Sequence, residues 1–131
     1  MRWRDDRGSS VVEFVLVSTL LILLLFGALQ VALFVYVDNV VSAAAAEGAR
    51  TAAALGSGPD DGNRRANEVL RDAVPGLGRR VTCRGSAEVD ATSGLPVATV
   101  RCTGTLRAVL VPLRLPWRVD VASSVLREGQ P

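Results

Sequence analysis

The sequence predicts an α+β protein with one long N-terminal helix and a small domain that contains one short helix and an antiparallel sheet of about three strands. Three observations support this prediction: a long apolar run near the N-terminus, a later segment with helical spacing, and two segments in which apolar and polar residues alternate. A chain of 131 residues can hold one membrane span and one small domain.

The apolar run extends from Val11 to Val37 and contains one acidic or basic side chain, Glu13. About 20 apolar residues are enough to cross a bilayer. The stretch Leu20–Phe26 is apolar on every side, whereas a helix in a soluble protein would show one polar face. We therefore predict a transmembrane helix at about residues 11–37.

The arginines near this run are distributed unevenly. Three of them precede it, whereas the first arginine after it is Arg50. Because positive charge beside a span favours the cytoplasmic side, we expect a cytoplasmic N-terminus and an extracytoplasmic C-terminal part. The chain is thus predicted to be a single-pass protein of the inner or cytoplasmic membrane.

The helix is predicted to continue beyond the membrane. Residues 38–55 contain eight alanines, one glycine and no proline, a composition that favours helix. The turn-forming cluster Gly56–Gly62 then marks a boundary. We divide the chain into a leader of residues 1–8, a long helix of residues 9–55 and a small extracytoplasmic domain of residues 56–131.

The small domain has a readable pattern of helix and strands. Apolar residues recur at three- and four-residue steps from Ala66 to Val74, which predicts a short amphipathic helix that ends at Pro75. Alternating patterns predict three strands, at residues 81–90, 98–106 and 117–125, with the first two joined by a loop at residues 91–94 and the third reached through residues 109–116. Trp117 is expected to face the core.

Both cysteines fall on the apolar side of their strands. If the first two strands form an antiparallel hairpin, the register that sets Cys83 opposite Cys102 also sets apolar residues opposite one another; only Arg84 facing Arg101 is unfavourable. We predict a Cys83–Cys102 disulfide, which can persist on the exported side of the membrane. The alternative is a pair of buried reduced thiols.

Enzymatic chemistry is not expected. The chain has no histidine, no GxSxG motif and no glycine-rich loop with a lysine. No metal or other cofactor is predicted, since two cysteines without histidine make a poor zinc site. The formal net charge is only +2, and clustered charge with interleaved aromatic residues is lacking, so no nucleic-acid partner is predicted.

The N-terminus resembles that of type IV pilin precursors. A short charged leader, MRWRDDR, is followed by Gly8, Ser9, Glu13 and Phe14, so that Glu13 would be the fifth residue after a cut behind Gly8. Ser9 departs from the phenylalanine usual at the first mature position, but an aromatic residue after the glutamate, as at Phe14, is similar to the tight-adherence (Tad) branch. The segment SAAAAEGARTAA further resembles the TadE-like pseudopilins of that system.

This resemblance implies a pilin-like fold and a set of partners. It implies that a prepilin peptidase cuts between Gly8 and Ser9, and that Glu13, beside Phe14, pairs in the membrane with the α-amine of a neighbouring subunit. The implied partners are this peptidase, other pilins or pseudopilins, the pilus assembly platform and the lipid bilayer. The implied function is assembly of a Tad or type IVb-like pilus, or of a related secretion system.

Other interpretations are compatible with parts of this pattern. Gly8 can be an ordinary residue at a helix start, and Glu13 a carboxylate that reaches the headgroups. The chain can be a signal-anchored membrane protein whose small extracellular domain binds a ligand unrelated to pili. It can also be a secreted protein cut near Ala45, although signal peptides have apolar cores of only about 7 to 15 residues.

Overall fold

The structure, a computed structural model, describes residues 7–107 and 116–129. Most of the leader and most of the predicted crossing at residues 109–116 lie outside the described residues. The elements, in chain order, are helix α1 (Arg7–Ala53), helix α2 (Pro59–Ala73), a 3₁₀ turn (Leu77–Arg79), and strands β1 (Val81–Val89), β2 (Pro96–Arg107) and β3 (Pro116–Leu126). The predicted α+β fold, with its long helix, short helix and antiparallel sheet, is confirmed.

The chain forms two compact units, Met1–Phe34 and Val35–Pro131. The first contains the N-terminal part of α1, and the most apolar window of that helix has none of its surface buried in protein. The second contains the rest of α1, together with α2 and the sheet. Our sequence-based boundary lay at Gly56. The compact unit starts earlier because residues 35–53 of α1 form part of its core.

The C-terminal half of α1 buries small side chains. Its fully or almost fully buried residues are Val41, Ala44, Ala45, Gly48, Ala49, Ala52 and Ala53. Val41, Ala44, Ala45 and Ala49 pack with Ala66 and Leu70 of α2 and with Val81, Cys83, Val100 and Cys102 of the sheet, whereas Ala52 and Ala53 pack with Ala98. The alanine-rich segment is therefore a packing face for the rest of the domain, because small side chains allow neighbouring elements to approach closely.

The closest approach between the two helices is at Gly48 of α1 and Gly62 of α2. A Cβ atom added to Gly48 would lie 2.7 Å from the carbonyl oxygen of Gly62 and 2.8 Å from the Cβ atom of Ala66. A Cβ atom added to Gly62 would lie 2.6 Å from the carbonyl oxygen of Gly48. Since real Cβ atoms do not approach so closely, the crossing requires glycine on both helices.

Helix α2 begins with a well-defined cap. Pro59 occupies its first turn, where the missing N–H costs no hydrogen bond, and the N–H of Gly58 donates to the Asp61 carboxylate at 3.1 Å. The helix buries Gly62, Ala66 and Leu70. Ala66 and Leu70 belong to the apolar stripe predicted from the sequence, and Gly62 extends it towards the N-terminus. Val69 and Val74 of the predicted stripe are half-buried, whereas Ala73 is exposed because it lies at the end of the helix.

The three strands form an antiparallel sheet in the order β1-β2-β3. Cys83 pairs with Cys102 and Arg84 with Arg101, which is the register predicted from the sequence. The inner face buries Val81, Cys83, Ala98, Val100, Cys102 and Val119. On the outer face the like-charged arginine pair is partly relieved, since Arg101 Nε lies 3.5 Å from Asp120 Oδ1.

Trp117 differs from its prediction. It is opposite Leu106, one pair from the end of the β2–β3 ladder, and is 48% exposed, whereas Val119 is 4% exposed. The alternation of the strand gave the correct side of the sheet for Trp117. Its exposure follows from its position at the end of the sheet, which alternation does not reveal.

The loop between β1 and β2 is closed by Asp90. Its carboxylate accepts hydrogen bonds from the Ser93 hydroxyl at 2.7 Å and the Ser93 N–H at 3.1 Å. These bonds hold the pKa of the Asp90 carboxyl below its ordinary value, with the hydroxyl as the largest cause. Gly94 takes a positive φ of 67° and donates its N–H to the carbonyl of Asp90. A fixed loop of this kind helps to set the register of the hairpin.

The end of the described chain returns to α1. The N–H of Arg127 donates to the Pro96 carbonyl at 3.0 Å, and the N–H of Glu128 donates to the Ala53 carbonyl at 3.2 Å. The second bond satisfies a carbonyl at the end of α1 that has no partner within the helix. The segment after β3 therefore stays attached to the domain.

We predict that Gly48→Leu destabilises the domain, because the new side chain would separate α1 from α2. Overpacking of this kind costs about 1 to 3 kcal/mol, which lowers the melting temperature of a domain of this size by about 5 to 15 °C. Scanning fluorimetry of the detergent-solubilised chain measures the change. Gly27→Leu is the matched control, since no atom of another residue lies within 4 Å of a Cβ atom added to Gly27. An equal melting temperature for Gly48→Leu and wild type would contradict this account of the crossing.

Candidate functional site

The predicted processing and pairing residues lie in the first turns of α1. The helix begins at Arg7, so Gly8, Ser9, Glu13 and Phe14 are all within it. Ser9 and Glu13 are four positions apart, about one helical turn, and positions with this spacing are on the same side of a helix. The Gly8–Ser9 bond is therefore about one turn from the only acidic residue of the apolar run.

Glu13 is a solvent-exposed carboxylate at the beginning of an apolar surface. In the part of the chain that the structure describes, no ion pair involves Glu13. Thr19, another polar residue of the run, is satisfied inside the helix because its hydroxyl donates to the Val15 carbonyl at 2.8 Å. A carboxylate near the hydrocarbon costs on the order of 2 to 3 kcal/mol without a partner. Glu13 thus has a stronger need for an external partner than Thr19.

Phe14 continues the apolar surface beside Glu13. Its side chain is 72% exposed, and neighbouring residues such as Val11, Val15 and Leu16 are also more than half exposed. An apolar surface of this extent fits lipid or another apolar helix better than water. Glu13 and Phe14 together offer a charge and an aromatic ring at adjacent positions of that surface.

The second predicted site, the cysteine pair, is a disulfide in the structure. Cys83 and Cys102 are bonded, with their Cα atoms 4.0 Å apart. Such a short separation is typical of antiparallel residue pairs whose N–H and C=O groups point away from the partner strand and do not bond to it. The disulfide joins the first two strands at the buried face of the sheet, beneath the two helices.

Asn67 of α2 supports this strand pair and was not identified from the sequence. Its side-chain amide donates to the Cys83 carbonyl at 3.2 Å, and its side-chain oxygen accepts from the Cys83 N–H at 3.3 Å. The Asn67 side chain therefore satisfies the N–H and carbonyl groups of Cys83, which β1 presents at the open edge of the sheet. The sequence offered one signal for this role: Asn67 is a polar residue between the apolar residues Ala66 and Leu70, on the side of α2 that faces the sheet.

The described residues contain no group of three or more histidine, cysteine, aspartate or glutamate side chains that could hold a metal ion. Within the same residues, Asp90 is the titratable group whose pKa is clearly displaced, and it serves the hairpin loop. The arrangement thus offers structural contacts: a carboxylate on an apolar helix, a packing face and a cross-linked hairpin.

These features define a class of protein, namely one with a single membrane-capable N-terminal helix joined to a small disulfide-linked α+β domain. The family model described as TadE-like protein matches residues 8–50, so the chain is TadE-like over this segment and the resemblance seen in the sequence is confirmed. The match relates this segment to a family associated with the Tad pilus, and the segment lies in a helix long and apolar enough to cross a membrane. No curated protein and no solved structure matches the chain.

The limits of the match are informative about what is shared with the family. The matched segment begins at Gly8, includes Glu13 and the alanine-rich packing face, and ends at Arg50. Neither α2 nor any strand is included. The shared feature is therefore the long helix, with its apolar first half and small-residue second half.

We predict that the disulfide stabilises the domain by about 3 kcal/mol, as expected for a loop of about 20 residues in the chain-entropy model. Reductant should lower the melting temperature of the wild type to that of the double variant Cys83→Ala/Cys102→Ala. The double variant is its own control, because reductant should leave its melting temperature unchanged. If thiol labelling of the denatured, unreduced wild type modified both cysteines, the disulfide would be absent from the purified protein.

Proposed function

We propose that this protein is a TadE-like pseudopilin or minor pilin that acts in the assembly of a Tad or type IVb-like pilus, or of a related secretion system. The observation that carries this proposal is the family match that begins at Gly8 and includes Glu13 five residues later, at the start of a membrane-capable helix. Gly8 and Glu13 both lie within the matched segment, so their spacing is part of what the match covers.

The first step is removal of the leader by a prepilin peptidase. Hydrolysis of the Gly8–Ser9 bond releases residues 1–8 with a carboxylate on Gly8 and leaves a new α-amine on Ser9. A glycine before the cut presents no side chain to the peptidase, which suits a site that accepts small residues. The new amine has an ordinary pKa near 8 and is largely protonated at neutral pH.

The second step is pairing between subunits. The Ser9 amine of one subunit approaches the Glu13 carboxylate of a neighbour, and the two charges compensate each other in a region of low dielectric constant. The amine of the same chain is only about one turn away, but the frayed first turn of a helix holds it poorly. Pairing with a neighbour also fixes the axial position of the two helices. Phe14 adds apolar contact at the same level.

Location and partners follow from this role. The N-terminus lies in the cytoplasm, α1 crosses the inner or cytoplasmic membrane, and the α+β domain is extracytoplasmic. The partners are the prepilin peptidase, other pilins or pseudopilins, the assembly platform and the bilayer, without nucleic acid. The protein acts structurally, not as an enzyme, and needs no cofactor.

A second candidate function is that of a signal-anchored protein whose small extracellular domain binds a ligand unrelated to pili. One observation favours it: the match ends at Arg50 and leaves the sheet domain outside the family segment. The N-terminus distinguishes the two functions, because only the pseudopilin requires a cut after Gly8.

We predict that the mature protein begins at Ser9 in cells with an active prepilin peptidase. Intact mass of the membrane-extracted chain should show the loss of residues 1–8. Gly8→Leu should keep the leader, because a bulky residue before the cut is excluded, whereas the matched variant Gly8→Ala should still be processed. Normal processing of Gly8→Leu would count decisively against this maturation.

We further predict that Glu13→Val inserts in the membrane and is processed, yet loses partner pilins. Removing the carboxylate makes the span more apolar but leaves the partner's amine without a counter-charge. Co-purification from mild detergent measures the association, and a drop of tenfold or more corresponds to about 1.4 kcal/mol. Thr19→Val is the matched control, since it also removes a polar group from the span. Undiminished recovery of partner pilins with Glu13→Val would rule out the pairing role.

A further inference from the structure

One end of the sheet carries a group of exposed arginines. Arg79 and Arg80 directly precede β1, Arg107 is the last residue of β2, and Arg118 is the third residue of β3. The register brings these positions together, because Val81 pairs with Gly104 and Arg107 pairs with Pro116. All four side chains are exposed. We call this region the arginine end of the domain.

The charge of the arginine end is not balanced by nearby acidic groups. Arg71 also lies there, since its Cγ atom would be 2.9 Å from a Cβ atom added to Gly78. Asp120, two residues after Arg118 in β3, lies 3.5 Å from Arg101. None of the ion pairs between described residues includes Arg79, Arg80, Arg107 or Arg118. The opposite end of the domain is rich in acidic residues, namely Asp60, Asp61, Glu88, Asp90 and Glu128. The second end also carries Arg64, which pairs with Asp61, and Arg127; we call it the acidic end because its acidic residues outnumber these arginines.

The contacts of α1 show which end of the sheet lies beside the first residues of α1 in this unit. Ala53 packs with Ala98, and a Cβ atom added to Gly48 would lie 3.4 Å from Val100. From Ala53 back to Gly48 the helix rises about 7.5 Å, and from Ala98 to Val100 the strand advances about 7 Å. The two elements therefore lie side by side and run in opposite directions. Towards the N-terminus of α1, the facing residues of β2 therefore approach Arg107.

The arginine end is level with the end of the apolar run. From Ala98 to Leu106 the strand advances about 27 Å, which equals about 18 residues of helix. Counted back from Ala53, this distance reaches residue 35, and Val37 packs against the same core cluster as Leu106. The apolar run ends at Val37. The arginines are therefore level with residues 35–37 of α1, at which the apolar run ends.

Trp117 lies at the same end and is 48% exposed. Tryptophan is enriched at the boundary between lipid and water, because its ring is apolar while its N–H can donate. Arginine suits the same zone, since its aliphatic part packs on apolar groups and its guanidinium binds phosphate with two parallel hydrogen bonds. The composition of this end is that of a membrane-surface contact.

We propose that the arginine end binds anionic phospholipid headgroups of the leaflet from which α1 emerges, with Trp117 at the level of the headgroups. Four exposed arginines at one height complement the negative charge of the lipid phosphates. The bilayer is the surface beside which α1 holds these arginines. The proposal does not depend on the pilus function. It assigns to Arg79, Arg80, Arg107 and Arg118 a role in holding the domain on the membrane.

A second copy of this chain is a poorer occupant for the same surface. The acidic end of the domain is about 27 Å farther along the sheet than the arginine end. Two copies anchored by identical helices in one bilayer present their arginine ends at the same height. The acidic end of one copy therefore does not meet the arginine end of another in the membrane.

The experiment uses the full chain, with Trp3→Phe so that Trp117 is the remaining tryptophan. One copy is placed in each nanodisc, made of phosphatidylcholine with or without phosphatidylglycerol, and lipids brominated near the headgroup quench Trp117. Phosphatidylglycerol should increase the quenching and shift the emission to the blue, and high salt should reverse both changes. Arg107→Gln/Arg118→Gln should lower the ratio of docked to undocked domain by on the order of tenfold or more.

Arg50→Gln/Arg64→Gln is the matched control, since it removes the same charge away from the arginine end and should leave the quenching unchanged. Equal quenching with and without phosphatidylglycerol would overturn the proposal, as would an equal loss in the two double variants. Quenching that required two copies per disc would assign the surface to a second copy instead. If Arg107→Gln/Arg118→Gln failed to fold, the dependence of Trp117 quenching on lipid and salt in the chain with all its arginines would still test the proposal.

Discussion

The backbone contact between α1 and α2 is the constraint on which the rest of the domain depends. With glycine at residues 48 and 62, the helices meet without side chains between them. This approach brings the start of α2 against the sheet, where a Cβ atom added to Gly85 would collide with the Pro59 carbonyl, and places Asn67 beside Cys83. A core built largely from alanine buries little apolar surface per residue. The cross-linked hairpin and the side-chain bonds of α2 therefore take a larger share of the stabilisation than they would in a domain with a leucine-rich core.

Much of the fold follows from patterns that are local in the sequence. Alternation alone gives the strands, and the two cysteines select the register because they occupy the apolar side of both strands. The role of the alanine-rich segment was less accessible. Alanine favours helix in any environment, so composition cannot distinguish a helix that projects into water from one that forms the centre of a core. This is why the compact unit begins at Val35 and not at Gly56. Asn67 and the exposure of Trp117 depend on tertiary position and left no clear local signal.

The segment proposed for processing and pairing, Gly8 to Phe14, presents the opposite case. Its interpretation depends on a few residues at fixed spacing, and the fold of the domain adds little to it. The family match covers the helix that contains this segment and leaves α2 and the sheet outside. The helix thus combines two separate demands along its length: an apolar surface with one carboxylate in its first half, and a small-residue face that must fit its own domain in the second.

The link between Cys83 and Cys102 has a consequence for the order of folding during export. Cys102 precedes Pro116, the first residue of β3, by 14 positions. An extended segment of this length spans about 48 Å, which is comparable to the full thickness of a bilayer with its headgroups. If the domain is extracytoplasmic, as proposed, and crosses the membrane starting from the residues after α1, both thiols reach the oxidising compartment while β3 is still in transit. Oxidation can then fix the first strand pair before the sheet is complete, and β3 adds to an edge whose alignment is already covalently determined.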